Sequence, residues 1–280
     1  MKIQSVLKNP GIRDFRDPKV SWYEEEQKWL MVFAAQDRIL FYSSPDLIHW
    51  ESESEFLVEK APGEGVWECP DFFPLSNGEE EKWVLIVSIG DGGPNGGSGT
   101  KYYVGDFDGS KFSCDNPSSP TRWIDYGKDN YAGVTWSDIP SRDGRRIFMG
   151  WMSNWQYANK VPTERWRNAM TLPRELKLEQ DEHGYLVSSV PVAELKKLRK
   201  ERVKLEPGTQ KRHDVGPVLE GGNPLFEIDL SSVELFVDHG ALVMTELCFP
   251  ESGFQTISTY RSHESVNLKE GNIYTLKSIW

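Results

Sequence analysis

The chain has 280 residues, 38% hydrophobic and 27% charged, enough to bury one large core or two smaller ones. Its formal charge of −11 argues against a nucleic-acid partner, and no apolar run reaches the ~20 residues that span a bilayer. Cys69, Cys114 and Cys248 are odd in number and far apart, and the five His residues show no metal-ligand spacing. No disulfide framework, metal site or cofactor is therefore expected.

The first residues, MKIQSVLKNPG, hold no apolar stretch of the signal-peptide kind. From residue 19 to residue 190, short β-rich runs recur between Gly, Pro, Asp and Asn. The first set is 19–23, 29–35 and 39–43, closed by PDLIHW; the second is 72–75, 83–89 and 102–106, closed by FDGSKF. A third set holds 132–139 and 146–152, and a fourth 170–179 and 185–190. The spacing of RDPKV, ECPDFF, YAGVTW and MTLPREL gives a unit of about fifty residues, the sign of a β-propeller, with a large β-sandwich as the other architecture weighed. The fold class is all-β.

After Val190 the character changes. ELKKLRKERVK (194–204) is charged and helix-prone, and 206–223 is rich in Gly, Pro and charge, so 191–223 reads as a linker after a domain over 1–190. Residues 224–280 then hold two strands joined at Asp238-His239-Gly240, part of a second all-β unit.

Two carboxylates stand out by their neighbours. Asp17, in PGIRDFRDPKV, follows Arg16 and precedes Pro18. An adjacent guanidinium keeps a carboxylate ionised, and together they suit a pair of vicinal sugar hydroxyls. The bland alternative is a strand-entry turn with a surface ion pair. Glu68 lies between Trp67 and Cys69 in GVWECPDFFPL. An acid among apolar neighbours has its charged form disfavoured and can donate a proton, as glycoside hydrolysis requires. The alternative is an ordinary strand-edge glutamate.

DYGKDNY (125–131) and GWMSNWQYAN (150–159) could line a sugar site; Trp151 and Trp155 would share a face of an extended strand, one of them in the core. DGGPNGGSG (91–99) lacks a GK[ST] ending and reads as a flexible loop between strands rather than a phosphate cradle.

FRDPKV, WECPDFFPL, YGKDNYAGVTW, GWMSNWQYA and TLPREL, in this order, resemble the motif set of glycoside hydrolase family 32, and SSVELFVDHG resembles the signature of its C-terminal sandwich. The wording is similar to that of bacterial levanases and exo-inulinases. The resemblance covers nearly all of 5–190 and, less completely, 219–280. It implies a five-bladed propeller with a funnel-shaped site, followed by a β-sandwich. It also implies cleavage of β-fructofuranosides (levan, inulin, sucrose) with retention, through a covalent fructosyl-enzyme. Carried over by motif, Glu68 is the general acid/base, Asp17 the transition-state stabiliser with Arg16 beside it, and Trp155 a wall of the pocket.

The family's nucleophile is the Asp of a WMNDPNG-like motif upstream of RDP, and this sequence holds no such motif. The expectation is therefore about four blades, an incomplete sandwich, and little or no turnover by the chain alone. Asp14 and Asp129 are the substitutes on paper. The alternatives are a non-catalytic fructan-binding remnant, a fructosyltransferase of the same fold, or an enzyme completed by a second chain carrying the missing blade. Family members are both secreted and cytoplasmic, so no compartment follows.

Overall fold

A computed structural model describes residues 7–59, 63–115, 117, 120–163, 167, 169–205, 212–214, 231–248, 256–258 and 271–276. Where alternating and continuous apolar runs meet turn residues, strands form. β1 (Phe15–Tyr23), β2 (Lys28–Ala35), β3 (Arg38–Ser44) and β4 (Glu51–Phe56) make a first antiparallel sheet in that order. β5 (Trp67–Ser76), β6 (Glu81–Ile89), β7 (Gly99–Phe107) and β8 (Phe112–Cys114) make a second, with β9 (Arg122–Trp123) paired to β7. The turns between these strands are held by side chains. Asp46 Oδ1 accepts from the N–H groups of Ile48 and His49, Asn77 Oδ1 from Glu79 and Glu80, and Asp108 Oδ1 from Ser110 and Lys111. Such local bonds are why Asn and Asp punctuate strands, and two of the three lie in the PDLIHW and FDGSKF segments.

The third sheet corrects the count of about four blades. β10 (Tyr131–Thr135), β11 (Arg146–Met152), β13 (Arg174–Asp181) and β14 (Gly184–Pro191) form one sheet, with β12 (Ala169–Met170) paired to β11. The third and fourth sets of runs are thus joined, through Arg146↔Leu176, Ile147↔Glu175 and Phe148↔Arg174. The propeller-type all-β architecture stands; among the described residues it has three consecutive sheets of four, five and five strands. Two hairpins separated by a long connection look like two units in sequence, because the connection hides the pairing that unites them.

The middle sheet is covered on both faces, and its strands show how. Successive side chains of a strand point to opposite faces. Phe72, Leu85 and Val87 join Val32, Ala34, Ile39 and Phe41 of the first sheet in one core. Their neighbours Phe73, Val84 and Ile86 join Phe148, Leu176, Leu178 and Val187 of the third sheet in another. The continuous apolar run WVLIVSI of β6 is the signature of a strand buried on both sides. The other face of the first sheet has no such cover among the described residues: Phe15 stacks on Phe33 at 4.0 Å, Trp22 meets Trp29 at 5.1 Å, and Val20 and Trp22 are 37% and 41% exposed.

The chain divides into two compact units, Met1–Pro191 with Ser232–Leu247, and Val192–Ser231 with Cys248–Trp280. In the second, β15 (Arg199–Leu205) pairs with β20 (Gly271–Leu276), and β16 (Arg212–Asp214) with β19 (Thr256–Ser258). The helix-prone reading of 194–204 holds for its first half only. A short 3₁₀ helix, Ala193–Leu198, leads straight into β15, because pairing with β20 outweighs the weak helical preference of Lys, Arg and Glu. Of the expected linker and sandwich, residues 206–211, 215–230, 249–255, 259–270 and 277–280 lie outside the described residues. The hairpin β17 (Ser231–Val237) and β18 (Leu242–Cys248), which carries SSVELFVDHG, clusters with the first unit apart from its terminal residues.

Candidate active site

The same local device occurs on the first strand of each sheet. β1 slips register between Arg16 and Lys19, β5 between Glu68 and Asp71, and β10 between Tyr131 and Val134. At each slip one non-glycine residue takes a left-handed backbone: Asp17 at φ 59°, Cys69 at 46° and Ala132 at 52°. Pro18 and Pro70 follow the first two, and a proline lacks the N–H that would continue the ladder. A bulge re-aims the side chains beside it. Here it turns the preceding residues, Arg16, Glu68 and Tyr131, toward one another.

Arg16 Nη2 lies 2.9 Å from Glu68 Oε1 in an ion pair, and its Nη1 donates to Asp14 Oδ1 at 3.0 Å. The Tyr131 hydroxyl donates to Glu68 Oε2. Asp17 Oδ2 accepts from the Cys69 backbone N–H at 3.0 Å, so the carboxylate of one bulge caps the next. Just past the bulges, a further set of bonds ties the same three strands. Lys19 Nζ lies 3.5 Å from Asp71 Oδ1 and donates to the Thr135 carbonyl at 2.8 Å, while the Thr135 N–H donates to Asp71 Oδ2 at 2.5 Å. Hydrogen bonds to charged groups contribute about 1.5–3 kcal/mol each, so the bulges are held rather than merely tolerated.

Arg16, Asp17, Glu68, Cys69 and Tyr131 line a cavity of about 350 Å³ with Trp151 and Trp155 as its aromatic wall. Asp17, Glu68, Arg16 and Trp155 are therefore brought together as the sequence reading expects. The two tryptophans depart from it. Neither is in the core: β11 ends at Met152, and Trp155 lies beyond it in a turn, 54% exposed, with its ring 5.1 Å from that of Trp151. The fully buried Asn154 bends the chain there, donating to the Lys128 carbonyl at 2.9 Å while its Oδ1 accepts from Gln156 N–H at 3.0 Å. The 91–99 segment joins β6 to β7 as expected, yet it is internally bonded, with Gly93 N–H donating to the Gly97 carbonyl at 2.8 Å. Its Ser98 hydroxyl accepts from Trp155 N–H at 3.2 Å and helps seat that ring.

The surroundings of Glu68 also differ from the apolar shell expected. Strand alternation sends Trp67 into the core, with no exposed surface, and leaves Glu68 between a guanidinium and a phenol. Asp14 touches the site through Arg16 and does not line the cavity. Asp129 has no exposed surface; it accepts from the Tyr157 hydroxyl at 2.5 Å and from Leu247 N–H at 2.8 Å, and burial raises its carboxyl above the usual range. A carboxylate so enclosed braces the fold and cannot reach a substrate. Tyr131 closes the DYGKDNY stretch that could line a sugar site, but sequence reading gave it no role of its own. The signal for it was present, since the residue before each bulge of RDP, ECP and YAG forms the site.

Burial, then its hydrogen bond to Glu68, raises the Tyr131 phenol, keeping it a donor. The Cys69 thiol is pushed up to about 12, chiefly by burial and then by the charges of Asp17 and Glu68. A thiol so placed is no nucleophile at neutral pH. At about pH 9, iodoacetamide should modify Cys69 on the order of 10²–10³-fold more slowly in the folded chain than in urea, as followed by peptide mass spectrometry. Equal rates would mean the thiol is not enclosed as drawn. Because the folded value is raised, the accompanying stability is present below the unfolded value of 9.0 and is lost as pH climbs through about 12.

Among the described residues, a propeller-type fold places two carboxylates, Asp17 and Glu68, on one aromatic-walled cavity. The chain belongs to glycoside hydrolase family 32: residues 1–189 match the Glycosyl hydrolases family 32 N-terminal domain, and residues 226–275 match the Glycosyl hydrolases family 32 C terminal. A levanase of Bacillus subtilis (strain 168) is 38% identical over 353 residues, covering 98% of this chain and 52% of its own length. An extracellular exo-inulinase of Aspergillus niger is 42% identical over 178 residues, 60% of this chain and 33% of its own. The crystal structure of exo-inulinase from Aspergillus awamori matches with a TM-score of 0.80 at 25% identity, covering 98% of this chain and 71% of that one. The β-fructofuranosidase of Schwanniomyces occidentalis complexed with fructosyl-erythritol matches with a TM-score of 0.66 at 30% identity, over 81% and 44%. The chain spans about half the length of the levanase it matches.

Proposed function

We propose that this chain carries the proton-donating and substrate-holding half of a β-fructosidase site. Glu68 is the acid/base that protonates the leaving oxygen of a β-fructofuranoside, of the levan, inulin or sucrose type. Asp17, with Arg16, grips the fructosyl hydroxyls and stabilises the charge that develops on the ring, against the wall formed by Trp155. One observation carries this reading: Asp17 and Glu68 line a single cavity, joined through Arg16 and the Cys69 N–H. Among the described residues, Asp17 and Glu68 are the carboxylates of that lining, both already in use, so none of these is left to be the attacking carboxylate of a retaining mechanism. The chain alone is therefore a fructoside-binding module with an idle acid. The uncovered aromatic face of the first sheet, with Phe15, Phe33, Trp22 and Trp29, is apolar in the way that sheet-on-sheet packing requires. A further β-sheet carrying the nucleophile would pack there and complete the site.

Calorimetric titration of the 280-residue chain with fructose and with a fructosyl disaccharide tests the binding half. Asp17→Ala should weaken binding by about 10–100-fold, the loss of one or two charge-assisted hydrogen bonds. Wild-type protein that binds neither sugar, or an Asp17→Ala variant that binds as well as wild type, would overturn the site.

A further inference from the structure

The stretch 125–130 between β9 and β10 has no place in a sheet of its own, yet Asp125, Asp129 and Asn130 are buried, as is Tyr131 at the start of β10. Buried backbone groups need partners, and these come from the hairpin. Tyr126 N–H donates to the Val243 carbonyl at 2.7 Å and Asp129 N–H to the Thr245 carbonyl at 3.0 Å. Lys128 N–H donates to Glu246 Oε1 at 3.1 Å. In return, Thr245 N–H donates to Asp125 Oδ1 and Leu247 N–H to Asp129 Oδ2, both at 2.8 Å. The contact is close enough that a Cβ on Gly127 would lie 2.2 Å from the Thr245 carbonyl oxygen.

Asp125 is the centre of this arrangement. Its Oδ2 accepts from the Thr245 hydroxyl at 2.6 Å, from Arg174 Nη1 at 2.8 Å and from Asn130 Nδ2 at 3.3 Å. Asn130 is the residue before Tyr131. The route from the hairpin to the site is thus short: Thr245 to Asp125, to Asn130, to Tyr131, whose hydroxyl meets Glu68.

We infer that β17–β18 is a positioning element of the active site: by clamping 125–130 it sets Tyr131 as the hydrogen-bond donor that orients Glu68. Thr245 and Asp125 are positioning residues acting through Tyr131, and neither lines the cavity. The inference rests on the reading of Glu68 as the acid/base for its functional meaning, while the contact itself can be tested without turnover.

The experiment uses the full 280-residue chain labelled with ¹³C at glutamate carboxyls, with the Glu68 resonance assigned by its loss in Glu68→Gln. Tyr131→Phe defines the displacement of that resonance when the phenol bond is missing. Thr245→Val removes the hydroxyl at nearly constant shape and should displace it by at least half as much. The Tyr131→Phe/Thr245→Val double variant should displace it no further than Tyr131→Phe alone, because both changes remove the same bond. Should Thr245→Val not fold, Glu246→Ala, at the half-buried partner of Lys128, is read in the same way. A Glu68 resonance that stays in place while the melting temperature falls would reduce the hairpin to a structural prop and overturn the inference, as would additive displacements. Failure of the fructose titration instead would leave this contact standing and remove the functional reading of Glu68.

Discussion

The purified 280-residue chain should release fructose from levan, inulin or sucrose at a rate on the order of 10⁴–10⁶-fold below the ~10 s⁻¹ typical of enzymes. The reason is chemical. On the proposed function, Glu68 protonates the leaving oxygen and Asp17 with Arg16 holds the ring, which leaves neither to form the covalent intermediate that divides the reaction into two easier steps. Adding a polypeptide that carries the family's WMNDPNG-like segment should raise initial rates, and Glu68→Gln should abolish the gain. Initial-rate fructose release by the chain alone, beside its Glu68→Gln form, is the measurement. Turnover near 10 s⁻¹ that vanishes in the variant would sink the proposal of a missing nucleophile. It would direct attention to Asp14, which touches the site through Arg16, and away from Asp129, which has no exposed surface.

Arg174→Met should destabilise the chain by about 3–5 kcal/mol, the usual cost of removing one partner from a buried ion pair. Arg174 has no exposed surface and lies between Asp125 and Glu234, at 2.8 and 2.6 Å, with the ring of Phe236 5.0 Å from its guanidinium. Its Nη2 also donates to the Thr245 hydroxyl at 2.6 Å. Methionine fills the space and leaves two buried carboxylates without a counter-charge. At about 2–4 °C per kcal/mol for a unit of this size, the melting temperature should fall by roughly 10 °C. The triple variant Arg174→Met, Asp125→Asn, Glu234→Gln should recover a large part of the loss, since it is the uncompensated charge that costs. Urea midpoints of the three proteins decide it; a single variant as stable as wild type would show that the cluster is dispensable.

Much of this molecule was legible before any fold was known. The β-rich runs and the turns at PDLIHW and FDGSKF follow from residue types and order, and the place of Arg16, Asp17, Glu68 and Trp155 in one site follows from the motif resemblance. Backbone preference and strand alternation are local, and local rules are written in neighbouring residues. Three readings failed where pairing acts over distance. Runs 132–152 and 170–190 are one sheet because β11 pairs with β13. Residues 199–205 are a strand because β20 offers an edge. Trp155 leaves the strand because a buried amide, Asn154, turns the chain.

The sequence by itself determined that the chain is all-β, that it belongs with the family 32 glycosidases, and which two carboxylates share one cavity. Only the tertiary structure decided that Tyr131 completes the surroundings of Glu68, that Asp129 is a brace, and that SSVELFVDHG packs with the propeller-type unit. The physical reason is that a bulge turns a side chain by changing one backbone angle, which sequence motifs reveal. What that side chain then meets is set by strands scores of residues away, whose register no local pattern records.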